Sequence, residues 1–268
     1  MATTDAAFAG SIPAIYDRWL VPLLFEPFAD DLARRAAALE PKDVLEVAAG
    51  TGVVTGRLET ELPHAKITAT DLNPAMLERA AKHAPRSAMR AADAQSLPFA
   101  DESFDLVACQ FGVMFYPDRP RAQREARRVL RPGGHYIFNV WDRIDNNPAS
   151  KAISDAVGAL WPDNPPRFLE RTPFGHFDTD LLAGELRDAG FREVTVETLT
   201  QRNGRVGPRQ AAEGLCRGSP LAAEIEAFGG EEAMERAVAA AEDALAPLVG
   251  NDGRIDAPMV AHVLSAIA

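Results

Sequence analysis

The sequence predicts a doubly wound, mostly parallel α/β sheet, and three observations carry that prediction. Asp43 to Leu58, DVLEVAAGTGVVTGRL, reads as a buried strand, a glycine turn and the start of a helix. Strand-like and helix-like segments then alternate through five rounds as far as Trp141, which argues for parallel strands joined by crossover helices. Phe104 to Phe111 is nearly continuous in apolar residues, as a strand buried on both faces at the middle of a sheet must be.

The first of these stretches organises the rest. Val44, Leu45 and Val47 form the apolar run, and Ala48 to Gly52 supplies small residues where it stops, so that a backbone can approach a ligand closely. Val54, Leu58 and Leu62 recur at helical spacing, which points the unpaired N–H groups of a helix amino end at whatever the turn holds. That is the construction of a nucleotide-type cofactor site. The dinucleotide fingerprint wants a third small residue where this chain has Thr55, which disfavours a nicotinamide or flavin cofactor. Ile67 to Asp71 is the next strand, and Asp71, 19 residues beyond Gly52, stands where an acidic residue binds ribose hydroxyls.

Before the first strand, Ser11 to Leu39 reads as helical in two pieces punctuated by Pro22 and Pro27, with Phe28, Leu32 and Ala36 on one face. Such helices are expected across an edge or over the top of the sheet. After Asp71, Pro74 opens a helix whose apolar face is Met76, Leu77 and Ala80. Ser87 to Ala92 is a short strand, and Arg119 to Leu130 is an amphipathic helix stopped by Pro132 and Gly133. His135 to Trp141 is the fifth strand. Asp142 to Pro173 breaks the pattern as an insertion around one helix, Ala149 to Leu160. Thr179 to Ala189 is a helix, Glu193 to Gln201 a strand, and Gly207 to Gly250 helical in several pieces. Val260 to Ile267 closes the chain as a strand.

Composition narrows the function. The chain has 268 residues and a net charge of −11, which bounds it to one elaborated α/β domain with an acidic surface. Such a surface repels polyanions, so neither nucleic acid nor an anionic membrane is expected as a partner. The amino-terminal stretch lacks a basic region followed by a long apolar one, and nowhere do 18 apolar residues run together; the expectation is a cytoplasmic protein. Cys109 and Cys216 are the two cysteines, too few for a disulfide framework or a zinc cluster. No cluster of carboxylates and imidazoles has metal-ligand spacing.

Four stretches in this order carry a family resemblance: VLEVAAGTG at Val44 to Gly52, TDLNPAML at Thr70 to Leu77, ADAQSLPFADESFDLV at Ala92 to Val107, and EARRVLRPGGHYIF at Glu125 to Phe138. Together they resemble the class I S-adenosylmethionine-dependent methyltransferases, in the small-molecule branch that includes the ubiquinone and menaquinone biosynthesis enzymes. The resemblance covers roughly Tyr16 to Trp141 well and the remainder loosely. It implies a Rossmann-like core with S-adenosyl-L-methionine as cofactor. Glu46 would orient the glycine turn, Ala48 and Gly50 would face the methionine part, and Asp71 would take the ribose hydroxyls. Met76 would flank the adenine, Asp93 and Ala94 would meet its edge, and Gln110 and Phe111 would border the methyl group. Apart from the resemblance, Tyr16 and Trp19 sit on a leading segment well placed to cover the cofactor, a reading set against plain packing of that helix. One departure stands out: the family usually has glycine where this chain has Ala48, a change that costs little at negative φ and much at positive φ.

On this reading the cap helices occupy 1–40, the cofactor-binding core 41–142, an insertion 143–177, and the rest of the sheet 178–268 with a helical lid at about 208–250. The lid segments carry Trp19, Phe25, Trp161, Phe168, Phe174 and Phe177, so the acceptor is expected to be a small, mostly apolar molecule methylated at O, N or C. A general base is needed only for a hydroxyl or weakly acidic carbon, and His176 in TPFGHFD, then Tyr16, are the candidates. Each is weighed against a plain surface or packing role. A homodimer is admissible. Two other readings stand beside it: an NAD(P)-dependent oxidoreductase, weakened by Thr55 and by the motif at Asp93, and a non-catalytic module that binds S-adenosylmethionine.

Overall fold

The structure, a computed structural model, describes residues 10, 12–203 and 205–268 of the chain. Ser11, where the sequence places the start of the leading helical segment, lies outside them. In chain order the elements are α1 (Ile12–Ile15), a π-helical segment (Tyr16–Phe25), α2 (Glu26–Ala37), β1 (Asp43–Val47), α3 (Val53–Glu61), β2 (Lys66–Asp71), α4 (Pro74–His83), β3 (Ala88–Ala91) and β4 (Phe104–Gln110). There follow α5 (Arg119–Val129), β5 (Leu130–Trp141), α6 (Pro148–Ala159), α7 (Phe168–Arg171), α8 (Thr179–Asp188), β6 (Arg192–Arg202), α9 (Pro208–Arg217), α10 (Leu221–Glu226), α11 (Gly230–Leu245) and β7 (Pro258–Ile267). Short 3₁₀ turns lie at Val113–Phe115, Ile144–Asn146 and Ala246–Leu248.

The seven strands form one sheet in the order β3-β2-β1-β4-β5-β7-β6. β1 pairs in parallel with both β2 and β4, β2 with β3, and β4 with β5. The Gly133 N–H donates to the Ala268 carbonyl and the Asp142 N–H to that of Val260, so β7 runs antiparallel to β5. The strand order reverses between β1 and β4, and at such a switch point the carboxyl ends of the strands open into a crevice.

The fifth strand begins earlier than its sequence suggests. Pro132 and Gly133 read as a helix stop, yet β5 already starts at Leu130, which faces Phe104, and an irregularity between Phe104 and Leu106 absorbs the proline and a left-handed Gly133 at φ 81°. Pro22 does not divide the leading helix either. The segment around it is wound wide, with the Glu26 N–H donating to the Val21 carbonyl five residues back.

The chain divides into two compact units, each assembled from separate stretches. One holds the described residues of Met1–Glu26, Trp141–His176 and Thr200–Val260; the other holds Pro27–Val140, Phe177–Leu199 and Ala261–Ala268. Within the first, α11 buries Ala233, Met234, Ala237, Val238 and Ala241 along one face, against α6 and α9. α9 approaches the π-helical segment closely because Gly214 and Gly218 are small: a Cβ on either would stand 3.0–3.1 Å from Leu20 or Ile15. Arg217 reaches Glu213, Glu231 and Glu235, tying α9 to α11 through several partners at once.

In the second unit, Ala29, Leu32, Ala33 and Ala36 of α2 are buried with Val54 and Leu58 of α3 against Val44, Ile67, Leu106, Ile137 and Val263. Those last five belong to five different strands. α2 therefore lies on a face of the sheet, and not across its edge or over its top as expected, because an apolar stripe of this width needs a whole layer to cover it. Leu32 has 0% exposure. Leu32→Ala is expected to destabilise the protein by about 2–5 kcal/mol, the usual range for emptying a tight core site; denaturant unfolding followed by circular dichroism measures it, and a loss under about 1 kcal/mol would contradict this packing.

Candidate cofactor site at the ends of the central strands

The carboxyl ends of β1 and β2 are tied together by a short circuit of hydrogen bonds. Thr70 Oγ1 donates to the Glu46 carbonyl at 3.0 Å, and the Ala49 N–H donates to the Thr70 carbonyl at 2.9 Å. Asp71 then spends both carboxylate oxygens on backbone: Oδ2 accepts from the Gly50 N–H at 2.8 Å and Oδ1 from the Asn73 N–H at 2.8 Å. Its carboxyl lies above the usual carboxylate range because it is largely buried, against the opposing pull of those N–H groups.

Between the strands the turn takes an alternating form. Ala48, Gly50 and Gly52 have φ of 53°, 56° and 88°, with right-handed or extended residues between them. Left-handed residues alternating in this way fold a backbone into a concavity lined by N–H groups, the geometry that holds an anionic group. Gly52 has a second duty, since a Cβ there would stand 2.7 Å from the Ala80 Cα of α4. α3 begins without a side-chain cap, leaving its first-turn N–H groups for a ligand. Thr51, 2% exposed, has no hydrogen-bond partner for its hydroxyl among the described residues. A buried hydroxyl without a partner is rare in a finished core, and a polar ligand group in the turn would complete it.

Glu46 lies beneath the turn, 1% exposed, and accepts from Thr55 Oγ1 at 2.5 Å. Burial pushes its carboxyl up to about 8, with the Thr55 bond opposing and the nearby Asp71 charge reinforcing the shift. Thr55 thus has a role that sequence reading treated only as a departure from the dinucleotide fingerprint.

At the end of β4, Phe111 is a second non-glycine residue in the left-handed region, at φ 51°. Its N–H donates to both the carbonyl and Oδ1 of Asn139, at 3.1 and 3.2 Å, and Phe28 meets its ring edge-on at 5.3 Å. Below it, burial pushes the Cys109 thiol up to about 12, and the Tyr116 phenol beside it lies well above its ordinary value. Neither is a base or nucleophile at neutral pH.

The second unit therefore gathers Glu46, Ala48, Gly50, Asp71, Gln110 and Phe111 at the ends of β1, β2 and β4. Asp93 and Ala94 follow β3 in a loop fastened by the bond from the Ala92 N–H to the Asp71 carbonyl, and Asp93 caps its own turn by accepting from the Gln95 N–H. Met76 is 3% exposed on α4, whereas Leu72, directly after Asp71, leaves 61% of its surface open. Leu72 was missed in the sequence because an isolated leucine after a strand carries no periodic signal. Tyr16 and His176 fall in the other unit, Tyr16 stacked on Phe25 at 5.2 Å and His176 half-buried in the loop before α8. Of the aromatics assigned to the lid, Phe25, Phe168 and Phe174 are buried there. Trp161 stacks on Phe228 at 4.5 Å.

Fold and turn geometry are those of a Rossmann-like protein with a candidate anion-holding cradle after β1. The comparisons with known proteins agree. A family model described as a methyltransferase domain matches residues 45–138. The ubiquinone/menaquinone biosynthesis C-methyltransferase UbiE of Dinoroseobacter shibae is 32% identical over 190 residues, covering 64% of this chain and 73% of that protein. The demethylmenaquinone methyltransferase of Chlorobaculum parvum is 39% identical over 114 residues, 42% of this chain and 46% of the relative, so the match spans under half of that protein's length. Among solved structures, an S-adenosylmethionine-dependent methyltransferase of Thermotoga maritima aligns over 100% of this chain and 99% of its own, with a TM-score of 0.56 at 20% identity. Phosphoethanolamine N-methyltransferase 2 of Haemonchus contortus, solved with S-adenosyl-L-methionine, aligns over 96% of this chain and 56% of its own, with a TM-score of 0.58 at 15% identity. At those identities the structures show a shared fold. The chain belongs to the class I S-adenosylmethionine-dependent methyltransferases, and S-adenosyl-L-methionine is its cofactor.

Among the described residues, no His, Cys, Asp or Glu group is arranged to hold a metal ion, and no helix is long and apolar enough to cross a membrane.

The buried Glu46 makes stability depend on pH. Its folded value, about 8, lies above the unfolded 4.5, so between these the unfolded chain releases a proton that the folded chain keeps. Stability from this group is full below about 4.5 and declines as pH rises toward 8. Asp71, whose carboxyl burial also raises, adds the same sign. Glu46→Gln is expected to flatten this part of the stability profile between pH 5 and 8 in denaturant titrations; an unchanged slope would mean that Glu46 is ionised in the folded protein.

Proposed function

We propose that this protein transfers a methyl group from S-adenosylmethionine to a small, mostly apolar molecule through an O, N or C nucleophile. The observation that carries this reading is the alternating left-handed turn after β1, closed from the side by Asp71 and floored by the buried Glu46. Bound in it, the cofactor supplies a methyl group already activated on a sulfonium. What remains for the protein is orientation, which can lower a barrier by roughly 7–11 kcal/mol without a dedicated triad.

Residue roles follow from position. Ala48 and Gly50 face the methionine portion, with the Thr51 hydroxyl and the first-turn N–H groups of α3 as donors for its carboxylate. Asp71 accepts from the ribose hydroxyls with the lone pairs its backbone donors leave. Leu72 offers an apolar surface to the adenine, and Asp93 and Ala94 meet its polar edge. Met76 backs the adenine site from inside α4. Gln110 and Phe111 border the methyl group.

The acceptor class is supported by the acidic composition, which disfavours nucleic acid, and by the relatives named as demethylmenaquinone and ubiquinone/menaquinone biosynthesis methyltransferases. Turnover of a panel of quinol, phenol, amine and carboxylate acceptors tests it, and efficient methylation of RNA or of a folded protein would overturn it.

Two sets of variants test the roles. Asp71→Ala is expected to weaken cofactor binding by about 1–3 kcal/mol, the worth of a charge-assisted pair of hydrogen bonds. Thr51→Val should weaken S-adenosylmethionine and S-adenosylhomocysteine alike and leave 5′-methylthioadenosine, which lacks the amino-acid end, unaffected; calorimetry with all three decides, and equal losses for all three would remove Thr51 from the carboxylate.

His176, and after it Tyr16, are the candidate bases for a hydroxyl acceptor. If His176 is the base, His176→Gln should lower kcat by about 10²–10⁴ for hydroxyl acceptors and leave thiol or amine acceptors nearly untouched. A uniform, less than tenfold effect would take it out of the chemistry.

A further inference from the structure

We propose that the Ala48 methyl is a positioning element, a steric stop that sets the spacing between the cofactor turn after β1 and the turn after β4. The inference rests on the reading of the β1 turn as the cofactor cradle. At φ 53° Ala48 stands in a conformation that glycine adopts freely and alanine does not, so the side chain brings strain that a glycine would avoid. What alanine adds is one methyl group, and its neighbour is specific. A Cβ on Gly112 would lie 2.5 Å from the Ala48 Cβ and 2.7 Å from Cys109 Sγ, which means that the bare Gly112 backbone is packed directly on that methyl.

The contact is backed on the far side by rigid groups. Cys109 is fully buried in β4, and its sulfur lies 3.4 Å from Tyr116 Oη. Gly112 directly follows Phe111, whose left-handed backbone is pinned by two acceptors on Asn139. The methyl on one turn therefore bears on the backbone one residue beyond the group that borders the transferred methyl. Two strained residues, Ala48 and Phe111, lie just beyond the ends of the adjacent central strands β1 and β4, and Gly112 packs on the Ala48 methyl where a side chain would collide. Strain held at two neighbouring strand ends marks a place where geometry is imposed by function.

A methyl that merely fills space would affect folding and both forms of the cofactor equally. A positioning stop must instead discriminate between S-adenosylmethionine and S-adenosylhomocysteine, which differ at the sulfur that Phe111 borders. For Ala48→Gly we expect a melting temperature equal to or above that of the wild type, with the ratio of the two dissociation constants shifted by about threefold or more, because small displacements at a reacting centre have large effects.

The steric side is tested in a Cys109→Ala background, which removes the other close neighbour. There, Gly112→Ala is expected to weaken S-adenosylmethionine binding by about tenfold or more, and adding Ala48→Gly should restore it to within about threefold, since the methyl has only changed turns. If the Gly112→Ala form does not fold, recovery of a cooperative melt by the added Ala48→Gly reads the same contact. An unshifted ratio in Ala48→Gly, or a triple variant that recovers neither binding nor folding, would overturn the stop. Wild-type protein that binds neither cofactor form would overturn the cradle itself, and the proposal with it.

Discussion

A carboxyl group buried at the end of β1 is the constraint on which the cofactor half of the molecule depends. The Glu46 carboxyl is buried and takes its hydrogen bond from Thr55 of α3, while Thr70 of β2 donates to the Glu46 backbone carbonyl. Those two bonds decide where α3 starts and how β2 sits against the turn, and from there Asp71 is carried to the Gly50 N–H. An apolar residue at this place would serve the core better and the turn worse. Burying a polar group is tolerable when its partners are complete, and the partners then fix one arrangement among many.

Much of this was legible in the sequence because the signals were short-range. The apolar runs of β1 and β4 and the glycine spacing gave the strand-turn-helix unit, and Asp71 followed from its distance to that unit. Thr55 and Thr51 were less accessible, since their roles depend on what lies above and below them in three dimensions. The start of β5 was obscured by Pro132 and Gly133, which break helices and also sit in strand irregularities; only the pairing of Leu130 with Phe104 separates the two. The left-handed backbone of Ala48 could be posed as a question from sequence and answered only by structure.

The strands also show how one chain can serve two units without repeating itself. β6 and β7 each pass from one unit to the other partway along their length, so their residues have different neighbours at the two ends. His262 on β7 illustrates the part within the second unit, where its Nδ1 meets Thr198 Oγ1 of β6 at 3.0 Å. At the other end the Asn203 side chain bonds the Leu23 carbonyl and Met259, holding the exit of β6 against the leading helical segment. No local pattern in the sequence marks where either strand passes between the units.

The sheet ends in β3 on one side and β6 on the other, and both rims carry unpaired backbone groups. β3 has four residues, too few to template another chain, but β6 has eleven and is exposed along most of its length. It carries charges that oppose edge-to-edge pairing. Arg192 and Arg202 near its two ends flank Glu193 and Glu197, and Arg35 and Asp256 hold Glu197 and Arg202 in place. A second copy adding edge to edge in antiparallel fashion would have to strip water from these groups and break those pairs. The rim is thus a guard against polymerisation, and a chain in which these four side chains were neutral would present a long open strand with Val196 already at its surface, a seed for fibrillar growth.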